Sequence, residues 1–222
     1  MHIKKAIAND LSIPDRLIDE AISVPRAHVK IFHIQKRSGG SRVIYHPSKK
    51  LKTLQYWLIH SVFSRMQVHD ASMAYRDGVS ILHNAEKHRS NRFFLKMDLE
   101  NFFPSISFED FIPIVRSWHR KSNPKWILNA ECEDMIRRIC FYKNDRLAIG
   151  YPSSPIISNI VTAEFDSKVS TLISDSKYGN VIYTRYADDL VFSTDKKGAC
   201  SEIMKEIINL IQGTSSPNIS VN

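Results

Sequence analysis

The feature that most constrains this chain is a pair of adjacent aspartates, Asp188 and Asp189, between two β-prone runs that extend from Asn180 to Ser193. The runs read as a hairpin with acids at its tip. Hairpin turns ordinarily call for Asn-Gly or Asp-Gly, where a positive φ is needed, and adjacent like charges repel. A bound cation would account for the pair; an exposed acidic turn is the plain alternative. A third acid, Asp98, closes the run Arg92–Leu99, in which strand alternation puts Phe93, Leu95, Met97 and Leu99 on one face and Phe94, Lys96 and Asp98 on the other. Alone, Asp98 reads equally as a solvated or capping aspartate. With Asp188 it could bridge two hard divalent ions such as Mg²⁺, about 3.5–4 Å apart.

Around these acids, helix and strand signals alternate without repeats or low-complexity tracts. Ser12–Asp15 resembles a helix entry, followed by the apolar stripe Leu17, Ile18, Ala21 and Ile22. Residues 29–36 and 41–46 read as two strands around a turn signal at 37–40. Leu51, Leu54, Leu58, Val62 and Met66 predict one long helix from Lys50 to Val68. Ser107–Asp110 has a capping-box form opening a helix that Pro113 should kink or shorten. Between the two groups of acids, Gly150 could let backbone approach a ligand, and Ser153 or Ser154 could cap a helix with Pro155 in its first turn. Ile157, Val161, Phe165, Val169 and Leu172 share one face of that helix.

Bulk properties set limits. Thirty-one Lys and Arg against 23 Asp and Glu give a formal charge of +8 and a pI near 9.4, which favours an anionic partner such as nucleic acid. Three cysteines, Cys132, Cys140 and Cys200, show no C-x-x-C spacing, which suggests neither a disulfide framework nor a zinc site and suits a reducing cytoplasm. Met1 leads into a polar stretch, and no apolar run is long enough for a signal peptide or a membrane span, so no membrane partner is expected.

These residues resemble the bacterial reverse transcriptases, and within them the retron type. Tyr186-Ala187-Asp188-Asp189 is similar to the signature tetrad, Phe94 to Phe103 to the first aspartate motif, and Gly150 to Asn159 to the segment lining the nucleotide pocket. Ser80 to His88 contains an Asn-Ala-x-x-His element similar to a retron hallmark, and Arg42 to Ser48 is similar to the retron fingers strand. The resemblance spans roughly residues 29 to 222.

It implies an α+β fold, the fingers and palm of a right-hand polymerase, with an antiparallel palm sheet and flanking helices. The expected partition is an N-terminal helical segment (1–28), fingers (29–91), palm (92–106), a helical insertion (107–148) and palm again (149–222). Asp98 and Asp188 would hold two Mg²⁺ ions, with the Leu99 carbonyl as a further ligand and Asp189 in support. Lys36 and Arg42 would clamp the triphosphate of the incoming dNTP, Gly150 would line its pocket, Phe103 would form the floor beneath its sugar, and Tyr186 would lie beside the primer end. Otherwise Lys36 and Arg42 are surface charges and Phe103 a core aromatic. Asn84 and His88 would either touch RNA or cap and pack locally. The implied activity is RNA-directed DNA synthesis on a noncoding RNA template from an RNA or DNA primer, in anti-phage defence, with an effector protein as a further partner. A template-independent abortive-infection polymerase and a catalytically incomplete RNA-binding module are the alternatives. Two departures stand out: Ile149 replaces the glutamine that many relatives carry, and no thumb follows the helix-like run of Ile203, Ile207, Leu210 and Ile211. The expectation is a fragment, or a chain completed by a partner.

Overall fold

The structure, a computed structural model, describes residues 2–35 and 39–222. Its elements in chain order are α1 (Ile3–Leu11), α2 (Asp15–Ser23), β1 (Val29–Gln35), β2 (Ser41–Pro47), α3 (Lys49–Ser61), α4 (Ile81–His88), β3 (Phe93–Asp98) and α5 (Phe102–Ser105). There follow α6 (Phe108–Ser122), α7 (Ala130–Cys140), α8 (Ser154–Val161), α9 (Ala163–Leu172), β4 (Ile182–Tyr186), β5 (Asp189–Thr194) and α10 (Ala199–Gln212). The fold is α+β with two antiparallel sheets. The chain divides into two compact units, Met1–Met66 with Ser107–Ile157, and Gln67–Ile106 with Ser158–Asn222. Among the described residues no helix is long and apolar enough to cross a membrane.

In the first unit, the two-stranded ribbon β1–β2 adjoins a helical core. Leu51, Leu54, Leu58, Val62 and Met66 are all buried, as their spacing predicts, but α3 is shorter than expected. Helical geometry ends at Val62, and a 3₁₀ turn at Phe63–Arg65 takes over, with the Met66 N–H on the Phe63 carbonyl. Phe63 meets Phe111 of α6 edge-on, ring centroids 5.2 Å apart. Ser107 and Asp110 form the expected capping box at the start of α6. Pro113 does not shorten the helix: α6 runs 15 residues through it, forgoing the bond that an N–H at that position would give to the Glu109 carbonyl.

The second unit is built on a three-stranded antiparallel sheet in the order β3-β5-β4. One face carries Met97, Leu190, Phe192 and Tyr183 into a core shared with Phe165, Val169, Ile203 and Ile207. Leu99 bridges to Val221 along the outer side of β3, and Ser72 bridges to Arg185 along β4. The apolar run after Pro155 is two helices rather than one. They meet at Thr162, with a φ of −84° and a ψ of 0°, whose hydroxyl bonds back to the Ser158 carbonyl at 2.7 Å.

Candidate active site

The acids gather at one end of the second unit's sheet. Asp98, the last residue of β3, is the cross-strand partner of Asp189, the first of β5, and Asp189 is in turn the partner of Tyr186. Directly opposed residues share a face, so Asp98, Asp189 and Tyr186 lie together. The two-residue turn is Ala187–Asp188, one residue earlier than the sequence pattern suggests. Ala187 has a φ of 58°, a left-handed conformation usually left to glycine at this position of a tight hairpin. The Asp188 carbonyl accepts the Leu99 N–H at 2.9 Å, which ties the turn to the chain just beyond Asp98.

Polar neighbours organise these carboxylates. Lys96 pairs with Asp189 at 2.9 Å, and Asn222 donates its side-chain amide to Asp98 Oδ2 at 2.8 Å. The hydrogen bond to Asp189 raises the Lys96 ammonium above its ordinary pKa, and the charges of Asp189, Asp98 and Asp188 add to the shift. One ammonium therefore feels all three acids, an excess of negative charge with oxygen donors only. That chemistry suits a hard divalent cation. Among the described residues, no three His, Cys, Asp or Glu side chains form a cage by themselves.

Beneath the turn lies a polar cluster that the sequence reading did not single out. Arg185 and Asp166 are both fully buried and form a bidentate ion pair, Nε to Oδ1 at 2.9 Å and Nη2 to Oδ2 at 2.8 Å. Tyr183 donates its hydroxyl to Asp166 at 2.7 Å. Burial lowers the Arg185 pKa, and attraction and hydrogen bonding to Asp166 more than offset this. Burial pushes the Tyr183 hydroxyl far up, so it stays protonated as a donor. The only sequence signal was an aspartate in a helix-like run and an arginine in a strand-like run.

A family profile described as Reverse transcriptase (RNA-dependent DNA polymerase) matches residues 34–216. The chain belongs to the reverse transcriptase family. It is 37% identical over 195 residues to the Retron Ec73 reverse transcriptase of Escherichia coli, covering 87% of this chain and 61% of that protein. It is 35% identical over 182 residues to the Retron Ec83 reverse transcriptase of Escherichia coli, covering 79% and 55%. The likeness to the retron type is thus present in its relatives, and the chain spans little more than half of their length. Among solved structures, it is similar to telomerase from Candida albicans in complex with a TWJ fragment of telomeric RNA, with a TM-score of 0.59 and 14% identity over 87% of this chain and 41% of that one. Apo telomerase from Candida tropicalis, truncated from its C-terminal domain, gives a TM-score of 0.55 and 12% identity over 92% and 53%. These two likenesses concern the fold.

The family's expected site residues are distributed over both units. Asp98, Leu99, Phe103, Tyr186, Asp188 and Asp189 belong to the second. Phe102 is buried, with the Arg185 guanidinium 5.8 Å from its ring centroid, whereas Phe103 is half-buried beside Tyr75, centroids 6.2 Å apart. Arg42 and Gly150 belong to the first unit. Gly150 has a φ of 102° and abuts β2; a Cβ there would lie 2.5 Å from the Tyr45 carbonyl oxygen. Ile149 engages β2 through its carbonyl, which accepts the Tyr45 N–H at 2.8 Å. Arg42, Ile44 and His46 share a face of the ribbon with their partners Ile34, Phe32 and Lys30. Lys30, Phe32, His46, Lys49 and Lys52 line a cavity of about 530 Å³ there. Lys36 lies outside the described residues.

Of the two readings open for His88, the structure shows local packing. It is buried, with Nδ1 2.8 Å from Ser193 Oγ and Nε2 2.7 Å from Thr184 Oγ1, so it fastens α4 to the sheet and has no free nitrogen for RNA. Asn84 is different: its Oδ1 is shielded and has no hydrogen-bond partner among the described residues.

Proposed function

We propose that this chain carries the nucleotidyl-transfer centre of a retron-type RNA-directed DNA polymerase, the second unit acting as palm and the first as fingers. The observation that carries this reading is the meeting of Asp98 and Asp189 across β3 and β5, with Asp188 in the adjoining turn tied to Leu99. Two Mg²⁺ ions, held by Asp98, Asp188 and the Leu99 carbonyl with Asp189 in support, would acidify the primer hydroxyl and neutralise the departing pyrophosphate. The chain's own residues bind and orient. Arg42 grips triphosphate oxygens as a planar fork, and Lys36 adds a point charge. Phe103 stands beneath the sugar and excludes a 2′-hydroxyl, Gly150 keeps the pocket wall thin, and Tyr186 lies beside the primer end. The basic ribbon and Asn84 contact the RNA strand. The template is a noncoding RNA, the site of action is the cytoplasm, and the role is anti-phage defence with an effector partner.

The test is primer extension on an RNA template, with RNA affinity measured by fluorescence anisotropy on the same proteins. Asp98→Ala and Asp188→Ala are each expected to reduce incorporation to background while RNA affinity stays nearly unchanged, because phosphate contacts come from Lys and Arg. Incorporation by Asp98→Ala/Asp188→Ala at the parental rate would refute the assignment. Sequencing products made with and without RNA distinguishes templated synthesis from untemplated addition.

A further inference from the structure

Arg185 immediately precedes the tetrad Tyr186–Asp189 and has no solvent exposure. Besides its bonds to Asp166, its Nη1 donates to Asn159 Oδ1 and to the Ala187 carbonyl, each at 3.2 Å. Asn159 is fixed in turn by its own amide, which donates to the Ala74 carbonyl at 2.9 Å. The strand position of Arg185 is pinned as well, its N–H on the Ala71 carbonyl at 2.7 Å and its carbonyl accepting the Met73 N–H at 2.8 Å.

A fully buried ion pair is weak evidence for stability, since apolar residues of similar volume often serve as well. The geometry offers another use. Ala187 adopts a left-handed backbone that disfavours any residue with a Cβ, and the guanidinium holds the carbonyl of that residue. The peptide that this carbonyl belongs to is the one entering Asp188. Releasing it would let the peptide between Ala187 and Asp188 rotate and so change the direction of the Asp188 side chain.

We propose that Arg185, locked by Asp166 and Asn159, is a positioning residue that holds Ala187 in its left-handed conformation and thereby aims the Asp188 carboxylate at the metal site. The proposal rests on the reading of Asp98 and Asp188 as metal ligands. It predicts that the strength of metal binding depends on a side chain that touches no metal.

Mn²⁺ binding to the full chain, read by electron paramagnetic resonance, tests it alongside thermal unfolding by circular dichroism. The variants are Arg185→Lys and Arg185→Met/Asp166→Leu, the former also combined with Ala187→Gly, with Asp188→Ala as reference. Asp188→Ala should lose binding; if it binds as the parent does, the metal reading falls and this proposal with it. Arg185→Lys keeps a charge for Asp166 but lacks the fork, and should weaken Mn²⁺ binding about tenfold or more while folded. The double variant leaves no lone charge in the interior and should show the same weakening. Ala187→Gly should restore most of the affinity lost by Arg185→Lys, because glycine adopts a positive φ unaided. Parental affinity in a folded Arg185 variant, with Asp188→Ala silent, overturns the positioning role alone. So does a loss that Ala187→Gly leaves unrepaired, or failure of every Arg185 variant to fold, which would make the arginine a stability element only.

Discussion

His88 sits over the sheet face that bears the acids, yet both ring nitrogens are turned onto hydroxyls, Ser193 and Thr184. Burial, reinforced by the charge of Lys87, holds its pKa below the ordinary 6.5, so the ring is neutral in the folded chain at neutral pH. As pH falls below about 6.5, the unfolded chain binds a proton that the native chain resists. The stabilisation is therefore complete above that value and is lost as pH falls towards and through the depressed folded value. The melting temperature is expected to drop between about pH 7.5 and 5.5, and His88→Gln should flatten that part of the profile, as read by circular dichroism melts across the range. The hydroxyl partners of His88 could not be read from the sequence, because Ser193 and Thr184 are about a hundred residues away. The same distance in sequence hid the Asp98–Asn222 contact, while the 19 residues between Asp166 and Arg185 concealed a pair that looks like two misplaced charges until the fold closes.

At the scale of elements, alternation and helical spacing were good guides. The β3 and β5 faces, the buried stripe of α3 and the Ile203–Ile207–Ile211 face of α10 all follow from them. Breaks were harder to read. The apolar run after Pro155 looks continuous yet divides at Thr162, and Pro113 fails to interrupt a helix where local sterics predict that it should. In α6 the capping box and the buried Phe108, Phe111, Ile112 and Val115 outweigh the proline, whose position is exposed. Proline in a helix interior costs up to about 3 kcal/mol relative to alanine. Pro113→Ala is accordingly expected to stabilise the chain, by at most that amount, with a higher melting temperature and unchanged RNA affinity. A lower melting temperature would mean that the ring contributes packing that the helix needs.

Over the whole molecule, the formal charge of +8 is a statement about partners. Single-stranded RNA bound through Lys and Arg should lose affinity linearly on a logarithmic salt scale, with a slope of about −0.7 per phosphate neutralised. Titrations at several salt concentrations should give the same slope for the parent and for Asp98→Ala, since a carboxylate releases no counterion from RNA; a changed slope would place Asp98 on the RNA path. The two sheets also differ in how their edges are managed. At the acid-bearing end of the three-stranded sheet, Leu99 pairs with Val221 on one side and Arg185 with Ser72 on the other. These bridges occupy backbone groups that a second chain would otherwise join. On the two-stranded ribbon, β2 is met by the Ile149 carbonyl at Tyr45, whereas β1 exposes Ile31, Phe32 and Ile34. Self-association of this protein at high concentration should therefore begin at β1 rather than at the acid-bearing sheet, and charged substitutions meant to keep it dispersed belong on β1.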